Sequence, residues 1–153
     1  MSTKTSPATP RERIAEISRS FSLDLIFLFG SQKEKGLAVL RGKPVEAPDP
    51  LADLDIGVVF AGGAFPERPY KVFGPLYAEF EEVFQPLQVD LVFLQETEST
   101  FQFEAIQGAC IYCPDQEVLE NYIERVLKFA ADWKYVREKI NQEFLLRTDG
   151  HGQ

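Results

Sequence analysis

Apolar residues in this chain follow two rhythms. From Ser22 to Phe29 the run SLDLIFLF sets Leu23, Leu25, Phe27 and Phe29 on one face of an extended strand and Ile26 and Leu28 on the other, so both faces are expected to be covered. Asp53 to Phe60, DLDIGVVF, and Leu87 to Leu94, LQVDLVFL, predict two more strands, and ACIYC, Ala109 to Cys113, predicts a brief fourth. The second rhythm is helical. Thr9-Pro10-Arg11-Glu12 supplies a capping threonine, proline at the first helical position and glutamate at the third, with Ile14 and Ile17 as the apolar edge behind them. Tyr70, Phe73, Leu76, Tyr77, Phe80, Val83 and Phe84 recur at helical spacing, are expected to face the core, and run until Pro86 closes the helix. A short helix ends near Gly108.

The last segment is long. Asp115 can cap a helix on which Leu119, Ile123, Val126, Ala130, Trp133, Val136, Ile140 and Phe144 keep period almost to Gly150. An unbroken helix of about 30 residues would be roughly 45 Å long, more than a small domain covers, so it is expected to break or to project toward a second copy or another protein. Arg41 to Pro50, with three prolines, reads as a loop. Together these elements predict an α/β (α+β) chain. A flexible tail, 1–9, precedes a core, 10–113, with a small mixed β-sheet and flanking helices, and a helical extension follows over 114–149.

Composition narrows the class. At 153 residues the chain fits one core. With 24 acidic against 16 basic residues it carries a formal charge of −8, which repels a phosphate backbone and argues against nucleic acid as partner. No apolar run approaches the roughly 18 residues that span a bilayer, and no signal peptide is evident, so a cytoplasmic location is expected. Cys110 and Cys113 have redox or metal spacing but lack a second pair or a nearby histidine, and are read as buried thiols. His151, the only histidine, lies in a Gly-flanked tail. Glu117, Glu120 and Glu124 read as a solvated face.

Chemistry concentrates where strands stop. Asp53 and Asp55, two apart, are expected on the same strand face, where paired carboxylates need a compensating cation. Oxygen-rich clusters of this kind suit Mg²⁺. Asp90 interrupts the third strand between Val89 and Leu91, where a buried charge requires a partner. If the second and third strands are neighbours, three carboxylates can hold two metal ions and activate a hydroxyl for attack on phosphorus. Gly30-Ser31 then acquires a purpose, because glycine admits a polyphosphate close to the backbone and the serine hydroxyl and following amides can donate to it.

FLFGSQKEKG, ADLDIGVVF and VDLVFL resemble the Gly-Ser, Asp-x-Asp and single-Asp motifs of the minimal nucleotidyltransferases of the DNA polymerase beta-like superfamily. The resemblance covers Ile14 to Leu94 and continues loosely into the helical C-terminus. It implies the nucleotidyltransferase fold, ATP or another nucleoside triphosphate as substrate, and two Mg²⁺ held by Asp53, Asp55 and Asp90, with Asp90 also deprotonating the acceptor. Gly30 and Ser31 would position the nucleotide, with Lys33 or Lys35 meeting phosphate. Stand-alone bacterial members are commonly antitoxins that silence a HEPN ribonuclease toxin by attaching AMP to a tyrosine. Two other readings stay open: transfer to a small molecule, as in aminoglycoside-modifying relatives, and a non-catalytic antitoxin acting by binding. A homo-oligomer through the C-terminal helix is a further expectation.

Overall fold

The computed structural model describes residues 7–45 and 49–151, with side chains described through residue 132 and at 138. In chain order the elements are α1 (Pro10–Phe21), β1 (Leu23–Phe29), α2 (Lys33–Leu40), β2 (Leu54–Phe60), α3 (Pro69–Val83), β3 (Val89–Phe93), a 3₁₀ turn (Leu94–Glu96), α4 (Ser99–Gln107), β4 (Ala109–Tyr112) and α5 (Gln116–His151). The four strands form one mixed sheet in the order β3-β2-β1-β4. β1 runs antiparallel to both neighbours, and β2 pairs parallel with β3 through the α3 crossover. This is the α+β architecture the alternation predicts.

Each face of the sheet carries its own core. Ile26, Leu28, Leu54, Ile56, Val58 and Phe60 point to one side, where α1 adds Ile14 and Ile17 and α3 adds Leu76, Phe80 and Val83. Leu25, Phe27, Phe29 and Val59 point to the other, against Ala105 of α4 and Tyr122 and Val126 of α5. Coverage of both faces explains the nearly continuous apolar runs of β1 and β2. Leu23 departs from the expected alternation. A register shift between Leu23 and Leu25 inserts one residue, so Leu23 joins the α1–α3 side rather than the face of Leu25, Phe27 and Phe29.

The capping box at α1 forms as its sequence demands: Glu12 N–H donates to Thr9 Oγ1 at 3.1 Å and Thr9 N–H to Glu12 Oε2 at 3.2 Å. Ser22, at φ 56°, ends α1 and turns the chain directly into β1. Beyond the end of β3, the Gln95 side-chain amide accepts from Phe60 N–H at 2.8 Å and donates to Phe60 C=O at 3.0 Å. It pairs with the last residue of β2 as a further strand residue would.

Three readings of the sequence change. The helix α2 was not expected, because KEKGLAVL is short, contains Gly36 and has no side-chain cap. Gly36 is there for contact, since a Cβ would lie 2.9 Å from the Leu54 side chain and 3.0 Å from that of Leu28. On α3 only part of the aromatic row is core, for Tyr70 is 72% and Phe73 39% exposed. Both lie toward the helix start, where it runs out past the edge strand. Cys110 and Cys113 are free and half-buried rather than enclosed, because β4 is an edge strand. Of the two courses expected for the C-terminal helix, α5 takes the unbroken one, at 36 residues and about 54 Å. Glu117, Glu120 and Glu124 face solvent along it, as expected. The side chains of Trp133, Val136, Ile140, Phe144 and His151 lie outside the described residues, as do 1–6 of the N-terminal tail and 46–48 of the proline-rich loop.

Candidate active site

The strand directions bring one end of β1 to the beginnings of β2 and β3. Phe29, the last residue of β1, pairs with Asp55 of β2, and Asp55 pairs in register with Asp90 of β3. In-register neighbours share a sheet face, so both carboxylates project on the α4 side, at the corner where β1 stops. Asp53 is exposed and sits one residue before β2 rather than inside it. It still reaches the corner, as its charge acts on Asp55.

Gly30 closes the corner. Its φ is +80°, and a Cβ there would run into the Asp55 carboxylate. Glycine is therefore required twice over, by its left-handed backbone and by the acid lying against it. Burial pushes the Asp55 carboxyl up to about 6, and the charges of Asp90, Asp53 and Glu104 add to the rise. The site thus holds more negative charge than its own residues offset. All its donors are hard carboxylate oxygens, the set that suits a divalent cation such as Mg²⁺. Among the described residues, no three such side chains already converge as a ligand set.

After Gly30 the chain turns into α2, with Lys33 N–H donating to Gly30 C=O at 3.3 Å. Ser31 is exposed, and its hydroxyl accepts from Gln32 Nε2 at 3.3 Å, which leaves the hydroxyl proton free to be donated outward. Gln32 itself is only 9% exposed. Lys33 and Lys35 separate clearly. Lys33 lines a cavity of about 220 Å³ with Phe29, Gly30, Glu104, Gln107 and Gly108, whereas Lys35, two residues on, lies about 200° around the helix. The structure therefore gathers Gly30, Ser31, Lys33, Asp53, Asp55 and Asp90 at one corner, and Lys35 is not among the residues lining that cavity.

Two residues at this corner escape the sequence motifs. Glu104 comes from α4, some fifty positions after Asp55, and no local pattern marks it. Tyr77 of α3 stands on the other flank, where its phenol is raised by burial first and then by the charges of Glu81, Asp53 and Asp90. Only its helical spacing with Phe73 and Glu81 could have hinted at this placement.

A model of the family described as Polymerase beta, Nucleotidyltransferase matches residues 12–117. No curated protein matches the sequence. Among solved structures, a mutant MntA toxin–antitoxin chain aligns with TM-score 0.59 at 17% identity, over 88% of this chain and 98% of that one. A chain from a complex of tri-AMPylated Shewanella oneidensis HEPN toxin with MNT antitoxin aligns with TM-score 0.57 at 18% identity, over 89% and 96%. A chain from a toxin–antitoxin structure with AMP-PNP aligns with TM-score 0.57 at 17% identity, over 88% and 98%. At these identities the likeness is one of fold.

Proposed function

This chain belongs to the polymerase beta nucleotidyltransferase family, a family of enzymes, and from that membership we propose that it transfers AMP from ATP to a protein hydroxyl, a tyrosine of a HEPN-type toxin. The observation that carries the reading is the in-register pair Asp55 and Asp90 set against Gly30. The similar folds found with AMP-PNP, and in complex with an AMPylated HEPN toxin, support the choice of nucleotide and acceptor. Among the described residues no helix is long and apolar enough to cross a membrane.

In this reading the residues divide the work. The triphosphate lies over the β1–α2 turn, where Gly30 gives close approach, Ser31 donates its hydroxyl proton and Lys33 offsets phosphate charge. Asp53, Asp55 and Asp90 would hold Mg²⁺, which when bound supplies charge neutralisation and orients the α-phosphate. Asp90 is exposed and stands near the start of the edge strand β3, so it meets the acceptor. It accepts the hydroxyl proton as the acceptor oxygen bonds to the α-phosphorus and the bond to pyrophosphate breaks.

The test is incubation with α-labelled ATP and Mg²⁺, with and without the HEPN-type partner. Label is expected on the partner, and Asp90→Asn should cut single-turnover transfer by about 100-fold or more while ATP binding survives in part. Transfer by Asp90→Asn at the wild-type rate would sink the three-carboxylate mechanism. Toxin neutralisation kept by a variant that transfers nothing would point instead to silencing by binding alone.

A further inference from the structure

The corner holding Asp90 opens onto an edge of the sheet that no strand covers among the described residues. β3 is the outermost strand on its side. Leu54 N–H donates to Gln88 C=O at 2.8 Å, and the register pairs Leu54 with Val89. In a parallel ladder this phase turns the backbone of Gln88, Asp90 and Val92 toward β2, and the N–H groups of Val89, Leu91 and Phe93 outward. Among the described residues no turn or loop backbone takes up those three donors.

An aromatic row lies beside that edge. Tyr70, Phe73 and Tyr77 fall at i, i+3 and i+7 of α3, one stripe of the helix. Phe73 stacks on Tyr77 with centroids 6.0 Å apart and leans on Phe93 at 5.6 Å. The stripe therefore runs from the end of β3 back to Tyr77, which feels the charges of Asp53 and Asp90. Pro69, Tyr70 and Phe73 with Leu91, Val92 and Phe93 enclose a groove of about 410 Å³ along this line. Among the described residues no lysine or arginine lines it, and Glu96 does.

We propose that this edge is the acceptor's docking groove: an extended segment of the polypeptide acceptor adds beside β3 as an outer strand and so brings its hydroxyl to Asp90. The inference deepens the transferase reading above and rests on it. Outward N–H groups on alternate residues repeat every 6.6–6.8 Å or so, the spacing at which an extended polypeptide offers its carbonyls. A nucleic-acid backbone would find acidic Glu96 and no basic side chain in the groove's lining. Side chains on alternate positions of the added strand would rest on Tyr70 and Phe73, whose exposure otherwise has no use within the fold. Asp90 precedes Leu91 directly, so a hydroxyl one or two residues from the paired segment is within reach.

The test uses the full chain, ATP with Mg²⁺ and the HEPN-type partner as acceptor. Tyr70→Glu and Phe73→Ser change solvent-exposed side chains, so thermal unfolding should show both variants folded, and ATP-induced stabilisation should match the wild type. The expected result is a fall of about tenfold or more in kcat/KM for the acceptor. Hydrogen exchange supplies the second measurement, with the amides of Val89, Leu91 and Phe93 slowing when the partner is added. Wild-type transfer efficiency in both variants, with unprotected edge amides, overturns the docking inference alone. Slowed exchange at the edge on raising the concentration of this chain without acceptor also overturns it, in favour of pairing between copies. Absence of any transfer by the wild type overturns the transferase reading and this inference with it.

Discussion

Asp55 concentrates the electrostatic problem of the site in one side chain. It is held among Asp90, Asp53 and Glu104 and partly removed from water, and its carboxyl rises from 3.8 to about 6. A raised acid binds its proton more readily in the folded than in the unfolded chain. Its contribution to stability is therefore fully present below about 3.8 and lost as pH rises through about 6. Asp55→Asn removes that loss. In chelator, the variant should be the more stable protein at pH 7.5, by at most about 1 kcal/mol once solvent screening is allowed for, and the gap should close toward pH 4. Urea midpoints of both proteins at the two pH values check this. A pH-independent gap would mean that Asp55 ionises like a free carboxyl.

At the scale of elements, the strand-to-helix turn at Gly30 is where local conformation and long-range packing meet. Gly30→Ala forces a side chain into the left-handed region and into the carboxylate of Asp55, for an expected loss of about 1–3 kcal/mol in denaturant unfolding. The two causes separate in a double-mutant cycle. In an Asp55→Ala background the same change should cost less, because only the backbone strain remains. An undiminished cost would mean that the carboxylate and the Gly30 backbone are not in contact. The α3 crossover has the opposite character. Leu76, Phe80 and Val83 fasten it to the sheet and Arg13 ties it to α1 through Glu79 and Glu82, at 3.7 and 3.4 Å. The exposed Tyr70 and Phe73 lie beyond that fastened stretch.

For the whole molecule, the decisive arrangement is one antiparallel and one parallel pairing on either side of β2. The antiparallel pair brings the end of β1 to the start of β2, and the parallel pair sets the start of β3 beside both. A nucleotide at this corner would touch three elements far apart in sequence, so unfolding must release it. With free Mg–ATP near 100 times its Kd, the chain should gain about 2.7 kcal/mol of stability. Asp53→Asn with Asp55→Asn should abolish most of that gain in a thermal-shift titration. An equal gain in the double variant would move nucleotide binding elsewhere.

What the sequence determined by itself is whatever depends on near neighbours. Four strands, the first helix with its capping box, the central and C-terminal helices and the order Gly-Ser, Asp-x-Asp, Asp were legible because periodicity, caps and turn residues act within a few positions. Local pattern failed where the physics is non-local. The helix α2 was hidden because its stability comes from packing Gly36 tightly on Leu28 and Leu54 rather than from propensity. Leu23 changed faces because a bulge is set by the pairing of β1 with β2. Lys33 and Lys35 could not be ranked until the helix gave each a direction, and Glu104 and Tyr77 reach the corner only through tertiary packing. The register of Asp55 with Asp90, and the edge position of β3, belong to the sheet as a whole. Both follow from strand order, which distant segments decide when they compete to bury the same apolar faces.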